Sequence, residues 1–427
     1  MLWVKKGKVK IIISFLAMSM VLSVSSLQAN AIQNDDTVHA LHQKVNNLKI
    51  DPLLADNQSD VAKSAAINEM NWYLSQMNAT DLAATLKLFR VEQLLKGGYV
   101  EDLSNEKLMV GAIRGTVNSV GDPYSVYMDT EMYKELMIET KGSFGGVGII
   151  LGSKDNVLTV VAPIEGTPSE KAGIMSGDQL AKIDGKDTTG LAIDEAVKMI
   201  RGAEGSQVIL TINRTGQETK EYTLVRSTIK IKTVSGKMLE NNIGYLRLSM
   251  FSENTGDDLA KKLQELEGQG MKGIILDLRN NPGGLLEESV KVANNFIPQG
   301  PIVSIVRKDG TKTTILSTLV ATKYPLVVLV NGGSASASEI VAGAVQDTGV
   351  GTLIGTKTFG KGLVQTVVPL DSDTALKLTT AKYLTPKDRF INGVGIEPDI
   401  KVEMPTNTED GKDLQLDKAI EVLNEKL

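Results

Sequence analysis

The 427-residue sequence contains no cysteine. That excludes a cysteine protease, a thiolate metal site, a disulfide framework and a lipoprotein anchor. Histidine is nearly absent too: His39 and His42 are the only two, both near the N-terminus. No His-rich metal site can be built from them, so no metal and no cofactor are expected. A Ser-His-Asp triad is disfavoured because both lie far from every candidate serine. Positive charge is also short: the net charge is -5. No basic block lies outside the extreme N-terminus, which argues against nucleic acid as a partner. Long apolar runs are missing except one, Ile11 to about Val24, too short for a comfortable membrane span.

That run follows Lys5, Lys6, Lys8 and Lys10 and precedes Ala29-Asn30-Ala31. A positive start, a short apolar core and a small-x-small site read as an export signal over residues 1–31. Two outcomes stay open: cleavage, or retention as an anchor that would associate the protein with a membrane. Either places the bulk of the chain outside the cytoplasm, secreted, periplasmic or at the cell envelope.

Residues 32–141 read as helical. Thr80 or Asp81 can cap a helix ending at Gly97-Gly98, and Ser104 can cap another. Met70, Trp72, Met77 and Met128 are expected in a core or a subunit contact. The texture becomes short β-runs over residues 142–228, opening with Phe144-Gly145-Gly146-Val147-Gly148. Such a loop before a strand can turn backbone N–H groups towards a carboxylate, and the strand edge beside it can take an extended peptide. An ordinary turn fits the loop equally. Residues 229–403 alternate strands and helices as an α/β core. Residues 404–427 are a polar linker and an amphipathic helix bearing Leu416, Ile420, Leu423 and Leu427, which suits core packing or a dimer contact.

Three stretches of the α/β part carry chemistry. Leu326 to Val330 is an apolar strand, followed by Asn331-Gly332-Gly333 and Ser334-Ala335-Ser336-Ala337-Ser338-Glu339 at a helix start. Backbone N–H groups and the helix dipole there favour developing negative charge, as a nucleophile needs. Plain helix caps also fit these serines. Lys361 stands between Gly360 and Gly362 beside Phe359, Leu363 and Val364. Apolar surroundings would lower its pKa from about 10.4 towards the range of a general base. A solvated loop lysine is the other reading. Arg279-Asn280-Asn281-Pro282-Gly283-Gly284 turns sharply after a buried strand and can aim N–H groups at an oxyanion, or simply join strand to helix. Gly355 to Gly362 nearly matches a phosphate-binding loop, but Gly362 stands where Mg²⁺ needs Ser or Thr. Glu339 and Asp347 read as solvated helix charges.

In this order, Asp277-Leu278-Arg279-Asn280-Asn281-Pro282-Gly283-Gly284, the Ser334–Glu339 run and Thr358-Phe359-Gly360-Lys361-Gly362-x-x-Gln365 resemble the carboxyl-terminal processing (tail-specific) serine proteases. Ala172-Gly173 and Gly177-Asp178 resemble a PDZ domain of exported proteases, and Asp122-Pro123-Tyr124-Ser125-Val126-Tyr127 matches a further family motif, with Tyr124 where His is often found. The resemblance covers about Ser104 to Lys401. It implies an α/β (α+β) core like the crotonase/ClpP-like fold, with an inserted PDZ domain and an N-terminal helical segment. It implies Ser336 as nucleophile, Lys361 as base and Gln365 as the residue that orients the lysine. On a straight strand Lys361 and Gln365 would be about 13 Å apart, so Gly360 and Gly362 are expected to bend the chain. Oxyanion N–H groups are expected from Gly283 or Gly284 and from Ala337, with Ser334 and Ser338 as turn and cap residues. Gly145, Gly146 and Val147, with Arg201 as charge partner, are expected to hold the C-terminus of a protein or peptide with an apolar tail. N- and C-terminal segments that help dimerise imply a homodimer. Two other classes fit parts of the pattern: an idle PDZ scaffold that binds tails, and an acyl-transfer enzyme on a crotonase-like core. Ser336, Lys361 and Gln365 together argue against the first. The export signal and PDZ-like segment argue against a coenzyme A substrate.

Overall fold

The computed structural model describes residues 58–154, 157–404 and 412–427. The export-signal stretch, His39, His42 and most of the polar linker lie outside them. Two compact units divide after Ile113. In the first, helices span Gln58–Gln76 and Ala79–Gly98. The second is capped by Asn78, whose side chain accepts the N–H groups of Thr80 and Asp81, not by Thr80 or Asp81 themselves. Ser104 Oγ accepts the Lys107 N–H and starts the helix Asn105–Asn118, as the sequence predicts. Trp72 and Met70 are exposed in this unit and Leu82 is buried. Among the described residues no helix is long and apolar enough to cross a membrane.

The larger unit is built on a six-stranded sheet in the order Val234–Met238, Ile243–Leu248, Gly273–Asp277, Leu326–Val330, Gly351–Gly355, Ile400–Lys401. Its first pair is antiparallel and the rest are parallel. Parallel strands covered on both faces read as continuous apolar runs, and every residue of Gly273–Asp277 and Leu326–Val330 is buried. One face packs on Leu259, Val292, Val341 and Val345 of three helices. The other face takes Ala419, Val422 and Leu423 of the helix Leu414–Asn424. Leu416 and Ile420 join that cluster, so the C-terminal stripe is core packing, while Leu427 stays exposed.

Arg279, just beyond the strand Gly273–Asp277, ties that helix down. Its guanidinium donates to both Asp277 carboxylate oxygens and to both oxygens of Asp413, the residue capping Leu414–Asn424. A planar fork matched to carboxylates suits such a site better than a lysine would.

A second sheet joins Val126–Met128, Ala375–Leu384, Gly300–Arg307 and Lys312–Ser317, with Leu363–Pro369 on the other edge of Ala375–Leu384. Gly300–Arg307 and Lys312–Ser317 form a hairpin that turns around Asp309-Gly310. A third sheet orders Ile149–Lys154, Val157–Pro163, Gln179–Ile183, Gln207–Asn213 and Lys220–Val225 around its own core of Val160, Ile183, Val208 and Leu210. The chain enters and leaves this module through a two-stranded ribbon, Ser143–Gly146 against Ser227–Lys230. The Ala-Gly-x-x-x-Gly-Asp run gains a physical role here. Asp178 is fully buried and held by a two-pronged pair with Arg214. Burial pushes its carboxyl up, but the Arg214 guanidinium and the Met175 amide outweigh that and leave it below the usual range.

Candidate active site

Ser336 joins the turn after Leu326–Val330 to the helix Ala337–Thr348, with φ 54° and ψ -113°. A residue other than glycine in that region is strained and needs its surroundings to hold it. The neighbouring serines do part of this. Ser334 Oγ donates to the Leu278 carbonyl at 2.8 Å and accepts the Asn331 N–H. Ser338 Oγ donates to the Asn281 carbonyl at 2.9 Å. Both are fully buried, so they staple the serine turn to the turn after Asp277.

Glu339 does the rest, and here the expectation of a solvated charge is corrected. Glu339 is fully buried. Its Oε2 accepts the N–H of Ser336 at 2.9 Å and the N–H of Lys361 at 2.8 Å. Its Oε1 accepts Thr358 Oγ1–H at 2.5 Å and the Gly360 N–H at 2.8 Å. A buried carboxylate must be hydrogen-bonded, and these four donors supply that. Asp347 is corrected likewise: its side chain is 3% exposed and pairs with Arg389 and the Lys387 N–H.

Tyr383, 1% exposed, donates its hydroxyl to the Lys361 carbonyl at 2.5 Å and to the Ser336 carbonyl at 3.1 Å. Burial keeps that phenol protonated, with its pKa well above normal, so it remains a donor.

Lys361 is carried on a turn that needs small neighbours. Gly360 has φ 89°, and a Cβ there would lie 2.9 Å from the Gly395 nitrogen. A Cβ at Gly362 would lie 2.8 Å from the Asn392 nitrogen. Lys361 Nζ sits 5.0 Å from the centre of the Tyr124 ring, within cation–π range. Burial lowers the Lys361 pKa, the charge of Lys377 lowers it further, and Asp122 and Glu339 oppose them. Gln365 lies on Leu363–Pro369 opposite Thr379, beside a bulge between Val364 and Gln365. Its Nε2 reaches Thr379 Oγ1 at 3.5 Å. Among the described residues no hydrogen bond joins the side chains of Ser336, Lys361 and Gln365 to one another. The structure thus unites Ser336 and Lys361 through their backbones.

The glycine turn lies against the serine. A Cβ at Gly283 would stand 2.7 Å from the Ala335 oxygen and 2.9 Å from both the Ala337 nitrogen and Ser336 Cβ. A Cβ at Gly284 would stand 2.1 Å from the Phe251 oxygen. The Gly283 N–H is already given to Asn281 Oδ1 at 2.9 Å, whose Nδ2 is anchored on the Leu248 carbonyl. The N–H groups of Gly284 and Ala337 have no protein acceptor among the described residues.

In the smaller module, Gly145 and Gly146 are not a free loop: they sit on the entry ribbon opposite Thr228 and Ser227. The Gly145 carbonyl accepts the Gly202 N–H, and a Cβ at Gly145 would lie 2.0 Å from the Gly202 oxygen. Arg201 immediately precedes Gly202 and caps the C-terminal end of the helix Ile193–Ile200, with its guanidinium 4.4 Å from the centre of the Phe144 ring. Val147 is fully buried in the module's core. All four expected tail-binding residues therefore lie on one segment and the helix end beside it.

Sequence reasoning missed Glu339, Tyr383, Asn281 and Asp122. Glu339, Asn281 and Asp122 stood inside quoted motifs, so the signal was present. Tyr383 gave none.

Three family descriptions match the chain: peptidase family S41 over residues 242–402, the activating protease CtpB N-terminal domain over 50–132, and a PDZ domain over 159–214. A carboxy-terminal-processing protease of Bartonella bacilliformis is 46% identical over 315 residues, 72% of each chain. The carboxy-terminal processing protease CtpA of Bacillus subtilis is 42% identical over 75% of this chain and 69% of its own. A solved photosystem II D1 C-terminal processing protease is 30% identical, with a TM-score of 0.45 over 78% of this chain and 90% of that one. At such identity over most of both sequences, the chain belongs to the carboxy-terminal processing proteases of peptidase family S41, with a PDZ domain and an N-terminal helical region.

Proposed function

We propose that this is an exported serine endopeptidase that reads the C-terminal tail of a protein through its PDZ domain and cuts with Ser336 and Lys361. The observation that carries the reading is the shared grip of Glu339 on the N–H groups of both residues. It fixes a strained serine and a desolvated lysine on one buried anchor.

Neutral Lys361 takes the Ser336 proton as Oγ attacks the scissile carbonyl, then passes it to the leaving amine. Water next attacks the acyl-enzyme and Lys361 serves again as base. Gln365 orients the lysine. Ala337 and Gly284 offer the unengaged N–H groups that suit the oxyanion, and Gly283 shapes the space between them. Gly145, Gly146, Val147 and Arg201 form the tail site, and an apolar last residue is its expected ligand. The export signal expected over residues 1–31 supports a reaction outside the cytoplasm, and in this reading the protein works as a homodimer without metal or cofactor.

The test is cleavage of an unstructured reporter with an apolar C-terminal tail, with free or amidated carboxylate, by the native chain and by Ser336→Ala. Cleavage lost in Ser336→Ala and weakened by amidation is the expected result. Tight tail binding without cleavage by the native chain would favour the tail-binding scaffold instead.

A further inference from the structure

The turn Asp122-Pro123-Tyr124-Ser125 sets an aromatic ring against the lysine. Its own carboxylate closes the turn: Asp122 Oδ1 accepts the Tyr124 N–H at 3.1 Å, and Asp122 Oδ2 accepts the Ser125 hydroxyl at 2.6 Å. Pro123 stiffens the backbone between them. Ser125 is buried, and its hydroxyl oxygen accepts the Thr379 N–H at 3.1 Å. Val126–Met128 follows at once and pairs with Lys377, Leu376 and Ala375 of the same strand as Thr379. The backbone at Tyr124 is thus fastened to the strand Ala375–Leu384. The backbone of Lys361 is fastened as well, its N–H by Glu339 and its carbonyl by Tyr383. Between these two anchored main chains the half-buried Tyr124 ring has Lys361 Nζ over its face, 5.0 Å from its centre. Among the described residues that Nζ makes no hydrogen bond and no ion pair.

We propose that Tyr124 is a positioning residue of the proteolytic site, its ring face holding the Lys361 ammonium and releasing the neutral amine towards Ser336. The face of an aromatic ring carries negative potential, so it attracts a cation and has no such hold on an amine. Once the ammonium has given its proton to water, the attraction lapses. The flexible four-carbon stem is then free to carry the amine to the serine while the backbone stays fixed. The charged groups around the lysine leave the ring this role. Lys377 faces it from Ala375–Leu384 and repels the ammonium; Asp122 on the turn and Glu339 on the helix Ala337–Thr348 attract it. Both carboxylates are already engaged, Asp122 by Tyr124 and Ser125, Glu339 by four donors. Tyr383 is neutral and gives its hydroxyl to backbone carbonyls. The ring is therefore the direct contact of the charged end. It stabilises the charged form, so weakening it lowers the pH at which the lysine becomes neutral.

This inference rests on the assignment of Lys361 as base in the proposed function. The test is the pH profile of kcat/KM on the tail-bearing reporter for Tyr124→Phe and for a phenylalanine carrying three ring fluorines at the same position. The fluorines keep the ring's shape, and so the fold, but strip its face of negative potential. Lys361 is titrated in parallel by NMR of lysines labelled at the ε-carbon in Ser336→Ala, with Lys361→Ala identifying its signal. Tyr124→Phe is expected to leave the acid limb in place. The fluorinated ring is expected to move the limb and the Lys361 titration down together by about half to one pH unit. A limb or a titration that ignores the fluorines, or moves up, would overturn the role of Tyr124 while leaving the dyad intact. Activity that survives Lys361→Ala would overturn the dyad and the release towards Ser336 together.

Discussion

Glu339 and Tyr383 hold the same two residues by complementary groups. Glu339 takes the N–H of Ser336 and of Lys361, and Tyr383 gives its hydroxyl to the carbonyl of Ser336 and of Lys361. Neither touches the predicted nucleophile or base through its side chain. The pair fixes where two chain segments meet, and proximity of that kind is a large part of what an active site supplies. Glu339→Gln keeps the shape but turns an NH₂ towards N–H donors. Leaving such donors unpaired costs about 1–3 kcal/mol, so kcat/KM should fall roughly ten- to a hundredfold. Tyr383→Phe, which loses two bonds to neutral carbonyls, should cost less. Steady-state kinetics with thermal unfolding of the same samples separates lost positioning from lost fold.

With Lys361 as the proposed base, the charges around it should set the acid side of the pH profile. Burial and Lys377 favour the neutral amine; Asp122 and Glu339 favour the charged one. Lys377 lies two residues from Thr379 on its strand, so both side chains share a face. Lys377→Met removes a positive charge, the Lys361 pKa rises, and the acid limb of kcat/KM should move to higher pH. A limb that stays in place or moves down would show that Lys377 does not reach the base.

The C-terminal helix should loosen in acid. Burial pushes the Asp413 carboxyl up, but Arg279 and the Leu416 amide outweigh it and hold it below the usual aspartate range. A depressed carboxyl contributes stability that is present above its unfolded pKa and is lost as pH falls through the folded one. Asp413→Ala should cost about 1.5–3 kcal/mol at neutral pH, the worth of hydrogen bonds to a charged group. It should also flatten the stability profile below about pH 4. Denaturant unfolding across pH measures both.

Gly283 has no room for a methyl group, which would meet the Ala335 oxygen, the Ala337 nitrogen and Ser336 Cβ. Its φ of 102° also disfavours any side chain. Gly283→Ala should displace the Ala337 N–H and lower kcat on the order of a hundredfold, as the loss of an oxyanion donor does. A kinetic comparison with Gly310→Ala, also at positive φ but in open space, controls for backbone strain.

Much of this was legible in the sequence because the relevant signals are local. Leu326 to Val330 followed by two glycines and a run of serines can hardly be anything but a buried strand turning into a helix. Gly360 and Gly362 announced a bend in the chain, and the structure adds that the bend is crowded. Glu339 was misread because a glutamate at the third helix position is ordinarily a solvated cap. Only the fold brings Thr358, Gly360 and Lys361 over it. Tyr383 gave no signal, since its partners are carbonyl groups of residues elsewhere in the chain. The Phe144–Val147 segment was read as a loop because of its glycines. The ribbon it forms with Ser227–Lys230 pairs residues across a whole intervening module, which no short-range pattern encodes.

Lys361 is proposed as the base for Ser336 in a chain whose two histidines, His39 and His42, both stand near the N-terminus. Its most direct test is kcat/KM for Lys361→Ala on the tail-bearing reporter, in a sample whose thermal unfolding matches the native chain. General-base catalysis is worth roughly 10²–10⁴-fold, and a loss of that size is the predicted result. Activity within a few-fold of the native chain would contradict the account and send the search for the base elsewhere.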